Sequence, residues 1–201
     1  MLFVSMTLRN ASLPEVVSRA MFNVGSVWLV FLLYATLLTL LFDVVHKLVP
    51  AFSYGTPIAL IITLLVMIIG YVNYRNPRVE TIEIISNKIE DDVRIAVVSD
   101  IHLGYGTNKN KLERYVELIN SQNPDIVVIV GDLIDNSLHP VREQHMNETL
   151  SNIKVEKGVY MVLGNHEYIS GVEESIDYLR TTPITLLRDS VATPVEGLTI
   201  I

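Results

Sequence analysis

Three short polar clusters hold the residues able to do chemistry, and each follows an apolar run. Asp100 and His102 follow residues 95–98, Asp132 and Asp135 follow residues 125–130, and Asn165 and His166 follow residues 158–163. Carboxylate, imidazole and amide groups are oxygen and nitrogen donors, a set suited to Mn, Fe or Zn. The Asp-x-His pair reads as the end of a buried strand, where alternate side chains share a face. Asp100 and His102 then reach toward one point, while Ile101 turns back into the core. One such pair is ordinary on any strand end. Three clusters, each closing an apolar strand, point to one shared metal site.

The elements that must position them alternate. Residues 79–85 alternate apolar and polar side chains and predict a strand, and residues 95–98 predict the next. Residues 108–122 predict a helix with Leu112, Tyr115, Val116 and Ile119 on one face, closed by Asn123-Pro124. A strand over 125–130, a helix over 140–152, a strand over 158–163, a helix over 173–180 and strands over 184–187 and 198–201 follow. This order predicts an α/β domain with at least partly parallel pairing. In such sheets ligands gather at the carboxyl ends of the strands, which is where all three clusters fall. The glycines before Asp132 and Asn165 suit sharp turns with close backbone approach.

The 201 residues divide by composition. Before Arg75 there are only five charged side chains: Arg9, Glu15, Arg19, Asp43 and Lys47. No charge falls in residues 20–42 or 48–74, and each run supplies the roughly 20 apolar residues that cross a bilayer. The expected organisation is a membrane anchor over 1–75, with transmembrane helices at about 20–42 and 50–74, and a catalytic domain over 79–201. The opening residues 1–18 read as a loop and a short surface helix. Asp43 and His46 fall at the edge of the first span and read as interfacial. The outer flanks carry Arg9, Arg19, Arg75, Arg78 and Lys88 against Lys47 alone in the connection. The positive-inside rule then gives a multi-pass protein of the cell membrane with a cytoplasmic domain.

From Arg75 onward 12 Lys and Arg face 20 Asp and Glu, a net charge near −8. An acidic surface repels phosphate backbones, so no nucleic-acid partner is expected. An acidic domain acting on phosphate esters needs cations to offset that repulsion. The absence of cysteine excludes disulfides, thiolate metal sites and thiol nucleophiles.

Asp100-Ile-His102, Gly131-Asp132-Leu-Ile-Asp135 and Gly164-Asn165-His166-Glu167 resemble the first three signature blocks of the calcineurin-like metallophosphoesterases, in order and in spacing. The preceding membrane helices resemble those of membrane-anchored bacterial members. The resemblance implies a β-sandwich flanked by helices, of which this chain holds the first half, and a dinuclear site of two divalent metal ions (Mn, Fe or Zn). It implies that Asp100 and His102 bind the first metal, Asp132 bridges both, and Asn165 binds the second. His166 would contact the substrate phosphate and protonate the leaving oxygen, and Asp135 would orient the site. The implied function is a membrane-anchored phosphoester hydrolase using metal-activated water, on a substrate that the anchor suggests is lipid-linked.

The sequence also departs from that family. The later histidine and the Gly-His-x-His block that complete such sites do not occur, and residues 167–201 contain no histidine. The expectation is a domain incomplete at its C-terminus and little or no hydrolysis by these 201 residues alone. The alternative is a truncated, inactive membrane-bound pseudoenzyme that binds a partner through its sheet edge. His139 and His145 read as surface residues. Asn10 and Asn147 begin glycosylation-type triplets that are common by chance.

Overall fold

The computed structural model describes residues 15–201, which include two compact units, residues 20–84 and residues 85–201. The loop expected at the start lies outside the described residues, except that residues 15–18 belong to the first helix.

The first unit is helical. Helix α1 (Glu15–Leu48) has 34 residues and α2 (Gly55–Arg75) has 21. Both are long and apolar enough to cross a membrane. At about 1.5 Å per residue, α1 exceeds the roughly 30 Å hydrocarbon core, so it extends past the expected span at both ends. Leu33, Leu37, Leu40 and Leu41 on α1 are exposed, as lipid-facing side chains are and core side chains are not. Helix α2 begins later than expected. Residues 50–51 form a turn and 52–54 are irregular, and Pro57 sits in the first turn of α2, where a missing N–H costs nothing. It stops at Arg75 because Asn76 precedes a proline. A Cβ at Gly55 would lie 2.7 Å from Cβ of Phe42, so glycine lets α2 approach α1 there.

The second unit is an α/β domain. Strands β1 (Ile95–Val98), β2 (Ile126–Val130), β3 (Val159–Val162) and β4 (Ile184–Leu186) form one sheet in that order, parallel throughout. The register sets Ala96, Val127, Val159 and Ile184 in one row, and Val98, Ile129, Met161 and Leu186 in the next row on the same face. That face carries the core, with Val127, Ile129 and Met161 at most 1% exposed. Helix α3 (Lys109–Ser121) buries Leu112, Val116 and Ile119 in it and is capped by the Asn108 side chain, which accepts the Lys111 N–H at 3.1 Å. The single helix expected over 140–152 is two: α4 (His139–Glu143) and α5 (Met146–Leu150). His145 between them is left-handed, with φ of 50°, which ends one helix before the next begins. Helices α6 (Asn165–Ser170) and α7 (Val172–Leu179) link β3 to β4. Strands β5 (Ala192–Val195) and β6 (Leu198–Ile200) form an antiparallel hairpin.

Two further expectations are corrected. Residues 79–85 form no strand, and Ile82, Ile84 and Ile85 are more than 80% exposed. Alternation specifies a strand only where a partner takes its hydrogen bonds, and among the described residues none pairs with this segment. β1, read as a buried strand, is an edge strand with Val97 64% exposed. Its apolar run is covered on one face only.

Candidate metal centre

The site lies where β1, β2 and β3 end. After Val98 the chain does not continue extended. Asp100 and His102 both have left-handed backbones, with φ of 53° and 50°. The curl brings Asp100 Oδ1 to 3.7 Å from His102 Nε2. The two side chains thus approach one another through turns and not along a pleat. Ile101 packs against the core as anticipated.

The loops after β1 and β2 are pinned to each other. The His102 N–H donates to Asp132 O at 3.0 Å, the Leu103 N–H to Leu133 O at 2.7 Å, and the Asp135 N–H to Leu103 O at 3.0 Å. Leu103, Leu133 and Ile134 are fully buried and anchor the loops from beneath. Asp132, itself left-handed with φ of 52°, follows Gly131 at φ of 71°. Left-handed backbone costs a non-glycine residue about 1–2 kcal/mol. Three such residues in one site mean that surrounding hydrogen bonds and packing hold the donors in place.

The third loop closes on the second. A Cβ on Gly131 would lie 2.8 Å from Cα and N of Gly164, so the two glycines allow backbone to pass against backbone. The His166 N–H donates to Asp132 Oδ1 at 2.9 Å. His102, Asp132 and His166 thereby offer ligand atoms that all lie within 4.8 Å of one another. The two imidazoles stand edge to face with centroids 4.3 Å apart. Two imidazoles and a carboxylate, half-buried and convergent, fit a divalent cation of the Mn, Fe or Zn type.

Asp135 sits behind both rings. Its Oδ1 is 3.3 Å from His166 Nδ1 and 3.8 Å from His102 Nδ1. Burial pushes its carboxyl above the ordinary aspartate range, while the two imidazoles and the Asn136 backbone N–H pull it back down. His166 Nδ1 is buried and makes no well-aligned hydrogen bond, and Asp135 is the acidic group facing it. Asp100 is exposed at the mouth. Asn165 opens α6 as an exposed residue one position before His166. His139 and His145 are exposed, and His139 pairs with Glu143 at 3.6 Å on its own helix.

Sequence reasoning gave no helix at residues 165–170 and no role to Glu167. The signal was present. Glu167 is the third residue of α6 and takes the N–H of Gly164, the N-cap, at 2.7 Å. This is half of a capping box, since glycine has no side chain to return the bond. Strand β5 was also missed, because Pro194 interrupts its pattern.

A parallel sheet bearing this donor set at its carboxyl end defines a metal-site α/β domain, and comparison places it. A family model for calcineurin-like phosphoesterases matches residues 93–197. The chain belongs to that family. It is 38% identical over 142 residues to a transmembrane protein with a metallophosphoesterase domain from Danio rerio, covering 68% of this chain and 32% of that protein. It is 34% identical over 177 residues to a Caenorhabditis elegans protein described as a metallophosphoesterase, covering 80% of this chain and 36% of that protein. A UDP-2,3-diacylglucosamine pyrophosphatase of Chlamydia trachomatis is 31% identical over 84 residues, covering 42% of this chain and 25% of that protein. The chain thus spans about a third of the length of the first two of these curated relatives. With two apolar helices of spanning length and transmembrane relatives, the protein is membrane-associated.

Proposed function

We propose that the protein is a membrane-anchored phosphoester hydrolase whose site holds two divalent cations (Mn, Fe or Zn). The observation behind a metal site is the convergence of His102 and Asp132, with His166 beside them, within 4.8 Å at the end of the sheet; the second cation is what the resemblance to the family adds. In this reading Asp100 and His102 hold the first cation, Asp132 bridges, and Asn165 holds the second. Bound there, the cations would offset phosphate charge and make water a nucleophile near neutral pH. The chain's own residues do the rest. His166 contacts the phosphate and gives a proton to the leaving oxygen, work suited to an imidazole. Asp135, 3.3 Å from its Nδ1, fixes the ring. The buried pairing of the first two loops keeps Asp132 aimed while substrate enters past exposed Asp100.

The anchor keeps the domain at a bilayer surface, which favours a lipid-linked phosphoester or pyrophosphate. The activity in the name of the Chlamydia trachomatis relative supports that class. The charge balance around α1 and α2 puts both ends of the anchor, and the domain, on the cytoplasmic side. Protease added outside intact cells should then leave the domain uncut, and its cleavage there would reverse the topology. A second reading, a membrane-bound binding module without turnover, draws on the exposed apolar residues Ile95, Val97 and Val130 of the sheet.

Calorimetric titration of Mn²⁺ into the chain in detergent, followed by inorganic phosphate, tests the proposal. Two cations per chain, and phosphate binding that needs them, are expected. One cation per chain, or phosphate binding indifferent to Mn²⁺, would contradict it. His166→Asn should keep the cations and weaken phosphate binding. Loss of the cations in that variant would make His166 a ligand instead of the acid.

A further inference from the structure

Glu167 is fully buried, lies one residue past His166, and forms no ion pair among the described residues. Its charge is met by backbone alone. Oε1 accepts the Ile134 N–H at 2.9 Å, and Oε2 accepts the Asp132 N–H at 3.0 Å and the Gly164 N–H at 2.7 Å. These three amides belong to the two loops that carry Asp132 with Asp135 and Asn165 with His166. The amides of Asp132 and Ile134 lie in and just past the left-handed turn at residues 131–132, beyond the end of β2. Successive amides in such turns form a concavity that binds an anion. Here the anion is part of the chain.

The main chain of Glu167 is held as well. The carbonyl of Glu167 accepts hydrogen bonds from the Ser170 and Ser175 hydroxyls at 3.2 and 3.3 Å, and those hydroxyls lie 2.9 Å apart. Both serines are buried. Ser175 belongs to α7, so the clamp rests on a helix outside the three loops.

We infer that Glu167 is the positioning residue of the metal centre, an internal anion that fixes the left-handed turn at Asp132 and locks the second and third loops into one rigid edge. It touches neither cation nor substrate and acts through Asp132 and His166. The inference rests on the reading of this sheet end as a metal centre. A carboxylate serving stability alone would also be buried and hydrogen-bonded, so the test must separate the two.

Glu167→Gln keeps shape and volume but replaces one oxygen by an NH₂ group, which must face an N–H donor. Either the Ile134 amide or the Asp132 and Gly164 pair then loses its acceptor. Mn²⁺ affinity of the folded variant should fall about 10–100-fold, the range for losing an outer partner of metal ligands. Affinity within twofold of wild type, with a lowered melting temperature, would overturn the inference and leave Glu167 a stability residue. Should the variant not fold, the wild-type chain gives the second measurement. Zn²⁺ should slow hydrogen exchange in peptides covering residues 131–135 and 163–167, and unchanged exchange on saturation with Zn²⁺ would overturn the inference. Failure of the wild-type chain to bind either metal would sink the metal-centre reading itself, a distinct result.

Discussion

Replacing Gly164 by alanine puts a methyl group where Asp132 already sits. The new Cβ would press on Asp132 Oδ1, lie 2.5 Å from Asp132 N and 2.8 Å from Asp132 Cγ, where ordinary contact begins at 3.4 Å. The backbone φ of −99° at Gly164 is open to alanine, so the cost is steric and not conformational. Relief needs a displacement of about 0.9 Å against the amide nitrogen, and neither neighbour is a free side-chain end. Asp132 N donates to Glu167, and Asp132 Oδ1 accepts from the His166 amide. Overpacking of this kind costs about 1–3 kcal/mol, and a weakened hydrogen bond adds about 0.5–1.5 kcal/mol. The expected loss of stability is therefore about 2–4 kcal/mol. Metal–oxygen bonds tolerate displacements of only about 0.2 Å, so Mn²⁺ affinity should fall at least about tenfold. Denaturant unfolding and Mn²⁺ titration of the whole chain in detergent measure both. Gly70→Ala is the control, since its Cβ meets nothing within 4 Å. A Gly164→Ala chain that unfolds and binds Mn²⁺ as wild type does would refute the close-approach argument.

Three further outcomes follow from the same structure. Gly131→Ala adds left-handed strain at φ of 71° to a 2.8 Å clash and should lose at least as much metal affinity as Gly164→Ala in the same titration. Leu103→Ala empties a fully buried position under the paired loops and should cost about 2–5 kcal/mol by denaturant unfolding. Tyr178, buried on α7, has its phenol pushed well above the ordinary tyrosine range by that burial. The folded chain then keeps this proton where the unfolded chain releases it, so the contribution is whole below about pH 10 and is lost as pH rises further. Tyr178→Phe should flatten that alkaline decline in a stability-against-pH series, and an unchanged slope would exclude the linkage.

The fold was legible where periodicity and burial agree. Residues 126, 127 and 129 and residues 159 and 161 are apolar because neighbours cover them, and their runs read as strands; α3 showed its buried stripe. Legibility failed where structure depends on something local pattern does not encode. Residues 79–85 alternate like a strand but find no partner among the described residues. His145 divides a polar helix through a backbone angle that its neighbours do not announce. At the site the residue types drew attention to His102, Asp132 and His166, which do come together, while the way they meet was misread. The sequence suggested a pleat; the chain instead curls through left-handed turns, held by bonds between loops some thirty residues apart. Glu167 was passed over although its place three residues past Gly164 marks half of a capping box, because no charge partner draws notice to it.

The central claim is that Asp132, beside His102, holds metal at the carboxyl end of the sheet. Mn²⁺ titration followed by electron paramagnetic resonance tests it most directly, because binding removes the sharp signal of free Mn²⁺. The wild-type chain should take up Mn²⁺ saturably, and Asp132→Ala should leave that signal growing in proportion to added metal. Equal uptake by the two chains would contradict the account.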